Sequence, residues 1–148
     1  MTDMNALSAQ VFSYAAPDLG EKRKKIVRLC RTDRMAAQVQ VVGEGGENNL
    51  HSHDHQDGFR FVLKGRVRFY GEGDVVLGEF GPLQGILIPR TFDYWFESCS
   101  DDPLELLQLE AFDRPFGSEQ EIIEDRVNHE ALRASVNPAT VEVLDAES

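Results

Sequence analysis

His51 and His53, separated only by Ser52, are the residues of this chain best suited to chemistry. Strand side chains alternate faces, so two imidazoles two residues apart fall on one side of an extended chain. A pair spaced this way can grip one metal ion without a helix to organise it. The next run, Phe59-Arg60-Phe61-Val62-Leu63, is apolar enough for a buried strand, and Gly65 closes it in a turn. Function has to be sought in whatever completes the histidine pair.

The elements that must position the pair are short. Ile26-Val27-Arg28-Leu29-Cys30 and Ala37-Gln38-Val39-Gln40-Val41-Val42 read as strands, split by the polar run Arg31-Thr32-Asp33-Arg34. Further strands are expected over 49–53, 58–64, 66–70, 74–80, 85–88, 92–97 and 104–111. Gly65, Gly71-Glu72-Gly73, Gly81-Pro82 and Ser100-Asp101-Asp102-Pro103 punctuate them. Many short strands at this spacing indicate an all-β sandwich or barrel. Residues 1–25 read as an N-terminal arm, 26–115 as the barrel and 116–148 as a tail. In the tail, Ser118 and Glu121 form a capping-box signature, and 119–126 have helical composition. Residues 128–133 extend that to another helical turn, and the last ten residues read as loosely held.

At 148 residues, with 41% apolar side chains, the chain suits one globular domain. A net charge of −11 argues against nucleic acid, which needs clustered Lys and Arg. The one basic cluster, within Glu21-Lys22-Arg23-Lys24-Lys25, reads as a solvated edge. No apolar run approaches the length of a membrane span and no secretory h-region is evident, so a cytoplasmic protein with no membrane partner is expected. Cys30 and Cys99 lack zinc spacing and read as reduced, buried thiols. There is no Walker-type loop, no Gly-x-Gly-x-x-Gly and no nucleophile elbow.

The chain resembles the cupin superfamily. Gly45, five residues, His51-Ser52-His53 and the closing Gly65 match its first motif; Gly85-Ile86-Leu87-Ile88-Pro89-Arg90-Thr91 looks like the centre of its second. The resemblance spans about residues 36–111 and implies a double-stranded β-helix, or jelly-roll, barrel with the site inside it. Two positions depart from the family pattern. Its metal-binding glutamate position falls on Gly58, and its third histidine on Tyr94. Asp57, next to the vacant acid position, could turn inward at a bulge, and His55 continues the alternation of His51 and His53. A metal set of His51, His53 and either His55 or Asp57 would leave coordination positions open, as catalysis at a metal requires. The expected cofactor is one divalent transition metal ion: iron, zinc, manganese or nickel. The alternative is a relic motif, its histidines hydrogen-bonded in a polar pocket without metal.

If position 58 points inward, so do Arg60 and Val62. Tyr94 and Phe96 share a face with Phe92, so Arg60 and Phe96 are candidate substrate contacts and Tyr94 a candidate ligand or acid. A buried Arg60 must meet a carboxylate, from a substrate or from Asp57, Asp93 or Glu110. Gln108 and Glu110 share a face and read as a solvent-facing edge, one of which could reach the pocket. Phe69 and Tyr70 read as barrel filling, and Trp95 as an outer contact to a second sheet or subunit. Cupins are commonly dimers, so a homodimer is expected. The leading expectation is a metal-dependent enzyme of oxygenase, isomerase or lyase type, acting on a small polar or anionic metabolite. Its rival is a non-catalytic cupin that binds or senses a small ligand.

Overall fold

The computed structural model describes residues 8–115 and 141–146. The expectations for a helical tail over 118–133 lie outside the described residues. Ten strands and one short 3-10 turn make up the rest: β1 Lys24–Arg31, β2 Met35–Val42, β3 Gly46–His51, β4 Gln56–Lys64, β5 Val67–Tyr70, β6 Val76–Phe80, β7 Gly85–Ile88, β8 Tyr94–Ser98, β9 Leu104–Phe112 and β10 Val141–Asp145. They form two sheets, of order β10-β1-β2-β9-β4-β7 and β3-β8-β5-β6. The expected boundaries shift by a few residues at β3, which starts and ends earlier, and at β8, which begins at Tyr94 rather than residue 92.

Cross-strand register fixes what the interior contains. Val62, Leu106 and Gln40 are partners across β4, β9 and β2. One step along, Arg60 faces Gln108, which faces Gln38; one step further, Gly58 faces Glu110, which faces Ala36. The interior therefore grades from an apolar end to a polar one. At the apolar end Val42, Val62, Leu104 and Leu106 meet Val67, Phe69 and Phe96 from the smaller sheet, forming one buried cluster. Burying side chains of this size stabilises by roughly 1.5–3 kcal/mol each, which anchors the barrel and leaves the polar end free for another use.

Both faces of β2 are covered. Its outward Val39 and Val41 are as buried as its inward residues, because the N-terminal arm lies along the outer face. Three side-chain bonds tie the arm down: the Gln10 side chain donates to the Arg31 carbonyl and accepts from the Arg31 amide, and the Tyr14 hydroxyl donates to Glu105 at 2.7 Å. Burial, then the bond and charge of Glu105, push the Tyr14 phenol well above its ordinary pKa, so it keeps its proton.

Two expectations are corrected here. Residues 141–145, expected to be loosely held, form β10, parallel to β1, with Lys25–Glu142 at 3.2 Å and Arg28–Asp145 at 3.0 Å. The alternation of Val141-Glu142-Val143 is the signal for that strand. Lys24, expected in a solvated edge, is buried, its backbone paired with Val42 at the apolar end. Trp95 contacts its own sheet: it stacks on Tyr70 at 3.9 Å, and its indole N–H donates to Asp74.

Candidate functional site

At the polar end, β3 delivers His51 and the chain then leaves the strand, so His53 stands in the connection to β4. The two imidazoles nevertheless meet edge to face, 5.2 Å between centroids at 82°. His51 is buried, with its ring 4.5 Å from that of Tyr94. Its Nδ1 lies 2.7 Å from the Asn49 carbonyl, which can only accept, so Nδ1 carries the proton. In the neutral ring Nε2 then holds the lone pair.

Arg60 is 3% exposed and organises the centre of the site. Its Nη1 lies 2.8 Å from Glu110 Oε1, and its Nη2 donates to the Tyr94 hydroxyl at 3.2 Å. Glu110 is held from its other oxygen by the Gln56 amide at 3.0 Å. The carboxylate that a buried Arg60 demands is thus Glu110. Beside this pair, Gln108 is 1% exposed, and its carbonyl accepts from both Gln38 and Gln40, at 2.9 and 2.8 Å. Its own amide nitrogen has no acceptor among the described residues. A buried donor left this way costs about 1–3 kcal/mol unless something accepts from it.

These groups line a cleft of about 210 Å³, bounded by Arg31, Gln38, His53, Gln56, Arg60, Gln108 and Glu110 with Ala36 and Phe112 as apolar walls. A narrower space of about 10 Å³ continues between His53, Gly58, Arg60 and Tyr94, room for one water. Gln108 and Glu110 thus face the interior, correcting the reading of a solvent-facing edge. Arg31, Gln38 and Gln56 were not anticipated. Burial, and then Arg28, lowers the Arg31 guanidinium pKa, marking it as a partly desolvated cation.

The remaining predicted site residues lie elsewhere. His55 faces Asp113 at 3.3 Å, and Asp57 lies 3.2 Å from Arg90 Nε, on the outward side of β4. Phe96 is enclosed in the core, stacked on Phe69 at 5.0 Å, and does not line the cleft. Cys30 is half-buried and Cys99 exposed, rather than buried as expected; both are free thiols with pKa values raised, chiefly by desolvation, so neither is an activated nucleophile.

The donor set can be tested against a metal. Among the described residues, no group of three His, Cys, Asp or Glu is placed to hold one. The two positions from which a third and fourth ligand would come are taken by Gly58 and Tyr94. A Cβ at position 58 would lie 2.9 Å from Arg60 Nη1, so the guanidinium fills that space. Two imidazoles beside a phenol and a cation do not fit a divalent ion.

The loop opposite His53 carries a local strain. Thr91 has φ of 69°, a left-handed conformation that costs a β-branched residue, and its amide donates to the His53 carbonyl at 2.8 Å. Thr91→Gly is expected to stabilise the protein by about 0.5–1 kcal/mol, strain relief exceeding the added freedom of the unfolded chain. A urea midpoint that falls in the variant would contradict this.

No family model and no curated protein matches the sequence. Solved structures do. A cupin domain from Schizosaccharomyces pombe aligns at TM-score 0.58 and 18% identity over 68% of this chain and 69% of its own. A conserved double-stranded β-helix protein from Klebsiella pneumoniae aligns at 0.56 and 17% over 72% and 92%. The DMSP lyase DddQ from Ruegeria pomeroyi aligns at 0.51 and 22% over 65% of this chain and 54% of its own. These likenesses bear on the fold, which the two closed sheets share: the chain has the double-stranded β-helix fold of the cupins.

Proposed function

We propose that this protein binds a compact organic monoanion in the cleft at the polar end of its barrel. The observation that carries the reading is the charge of the lining. Among the described residues of the lining, two guanidinium groups, Arg31 and Arg60, stand with one carboxylate, Glu110, in a chain of net charge −11. The buried Gln108 amide adds a donor that a ligand oxygen would accept from. A space of about 210 Å³ is below the range of drug-sized pockets, which points to a small metabolite with an apolar part against Ala36 and Phe112.

The test is a set of small monocarboxylates matched with their neutral amides, read by calorimetry and thermal shift. At least one acid is expected to bind roughly tenfold more tightly than its amide, and Arg31→Ala to remove that preference without unfolding the protein. Equal binding of acid and amide, or of neither, would reject the reading.

Conversion of the ligand is a second reading, favoured by one observation. His53 borders both the cleft and the narrow space beside Tyr94, so its imidazole forms part of the ligand's wall. An imidazole and a phenol could exchange a proton with a bound acid. A lyase of the same fold makes such chemistry compatible with the barrel.

A further inference from the structure

We propose that the Arg60 guanidinium is the resident cation of this site, standing in the place of a metal, and that His51 and His53 work as imidazoles rather than as metal ligands. One side chain touches both positions from which the cupin ligand set is broken. At position 58 a Cβ would meet Arg60 Nη1 at 2.9 Å and both Cζ and Nη2 at 3.1 Å, so any acid there would have to displace the guanidinium. At position 94, Arg60 Nη2 donates to the phenol hydroxyl at 3.2 Å. Glu110 then holds Nη1 at 2.8 Å, with Gln56 holding the other Glu110 oxygen. The space left beside His53 is about 10 Å³.

The electrostatics run the same way. A divalent ion held by His51 and His53 would sit close to a buried guanidinium that cannot lose its proton, and Glu110, the carboxylate lining that space, is already engaged by Arg60 at 2.8 Å. Metal-bound acids favour ionisation and neutralise the ion, whereas a guanidinium repels it. A fixed planar cation presents several N–H donors to an anion, which is a service a metal also performs in such pockets.

The test titrates the full-length protein with Zn²⁺ while observing the histidine ring nitrogens by NMR, and with Co²⁺ while observing visible absorption. Wild-type His51 and His53 are expected to keep their ring shifts at one equivalent of Zn²⁺, and no cobalt ligand-field bands are expected. The triple variant Gly58→Glu, Arg60→Val, Tyr94→His restores both missing ligands and removes the cation. It is expected to bind Co²⁺ at least ~100-fold more tightly than wild type. Circular dichroism checks that the variant folds; should it not, Arg60→Gln serves, with a smaller gain of about tenfold expected from removing the charge alone. Stoichiometric wild-type binding, with both rings shifting together, overturns the proposal. So does a folded variant that gains no affinity, since the guanidinium would then not be what keeps the ion out.

Discussion

Replacing Arg60 by leucine is expected to destabilise the protein by about 3 kcal/mol, and replacing Glu110 by leucine as well to recover much of that loss. The expectation follows from where the pair sits. Arg60 is 3% exposed and Glu110 13%, so the surviving carboxylate of the single variant would stay largely out of water without its guanidinium. Removing one member of such a pair leaves an uncompensated charge, whereas removing both removes the desolvation of each. Tyr94 would also lose its donor from Nη2. Urea denaturation of the two single variants and the double measures the coupling directly. In a chain of 148 residues the single loss corresponds to roughly 10 °C in Tm. An Arg60→Leu variant within about 0.5 kcal/mol of wild type would show that the pair carries little, and so would a double variant that loses the sum of the two singles. The effect must appear without any ligand, which separates it from an anchoring role for the same guanidinium.

Arg60 was legible from sequence as an inward residue because period-two alternation ran from Gly58 through Val62 inside a strand with no interruption. The histidine pair was legible for a weaker reason. His51 ends β3 and His53 lies beyond it, so strand alternation does not place the second ring; the connection to β4 does. The same extrapolation carried to His55 and Asp57 met its limit there, since residues 52–55 are not a strand and β4 turns Asp57 outward to Arg90. The inward face of Gln38 and Gln40 was not legible, for a different reason. Gln38 and Gln40 alternate with Ala37, Val39 and Val41, a pattern that normally puts the amides in water. Here the arm covers the apolar face from outside, so the face carrying the amides is the barrel interior. Alternation identifies two faces of a strand; only the tertiary partners decide which one is the core. The expectation for Gln108 and Glu110 failed by the same logic. β9 is central in its sheet, between β2 and β4, so neither of its faces is an edge.

Two glycines on adjacent strands are expected to respond in opposite ways to the same change. Neither needs a left-handed backbone, so alanine is compatible with both conformations, and the difference lies in what the added methyl meets. At Gly85 it would overlap the Arg60 carbonyl oxygen and fall 3.1 Å from the Phe61 Cα, which are backbone atoms of the paired strand. β7 can admit that methyl only by moving away from β4, taking Ile86 and Ile88 out of the core. Gly85→Ala is therefore expected to lose about 2–3 kcal/mol of stability. At Gly58 the methyl would meet the far end of Arg60, 2.9 Å from Nη1, and that end can shift slightly while keeping its Glu110 partner. Gly58→Ala is expected to change stability by less than about 1 kcal/mol while weakening binding of a carboxylate in the cleft roughly tenfold, because the guanidinium moves. Urea midpoints and carboxylate calorimetry on both variants read the two effects separately. Equal losses of stability would mean that Arg60 is not free to yield, and unchanged binding in Gly58→Ala would mean that its guanidinium position does not set the affinity. The close approach at residue 85 thus belongs to the fold and the one at residue 58 to the site, a distinction carried by whether backbone or side chain occupies the missing methyl's place.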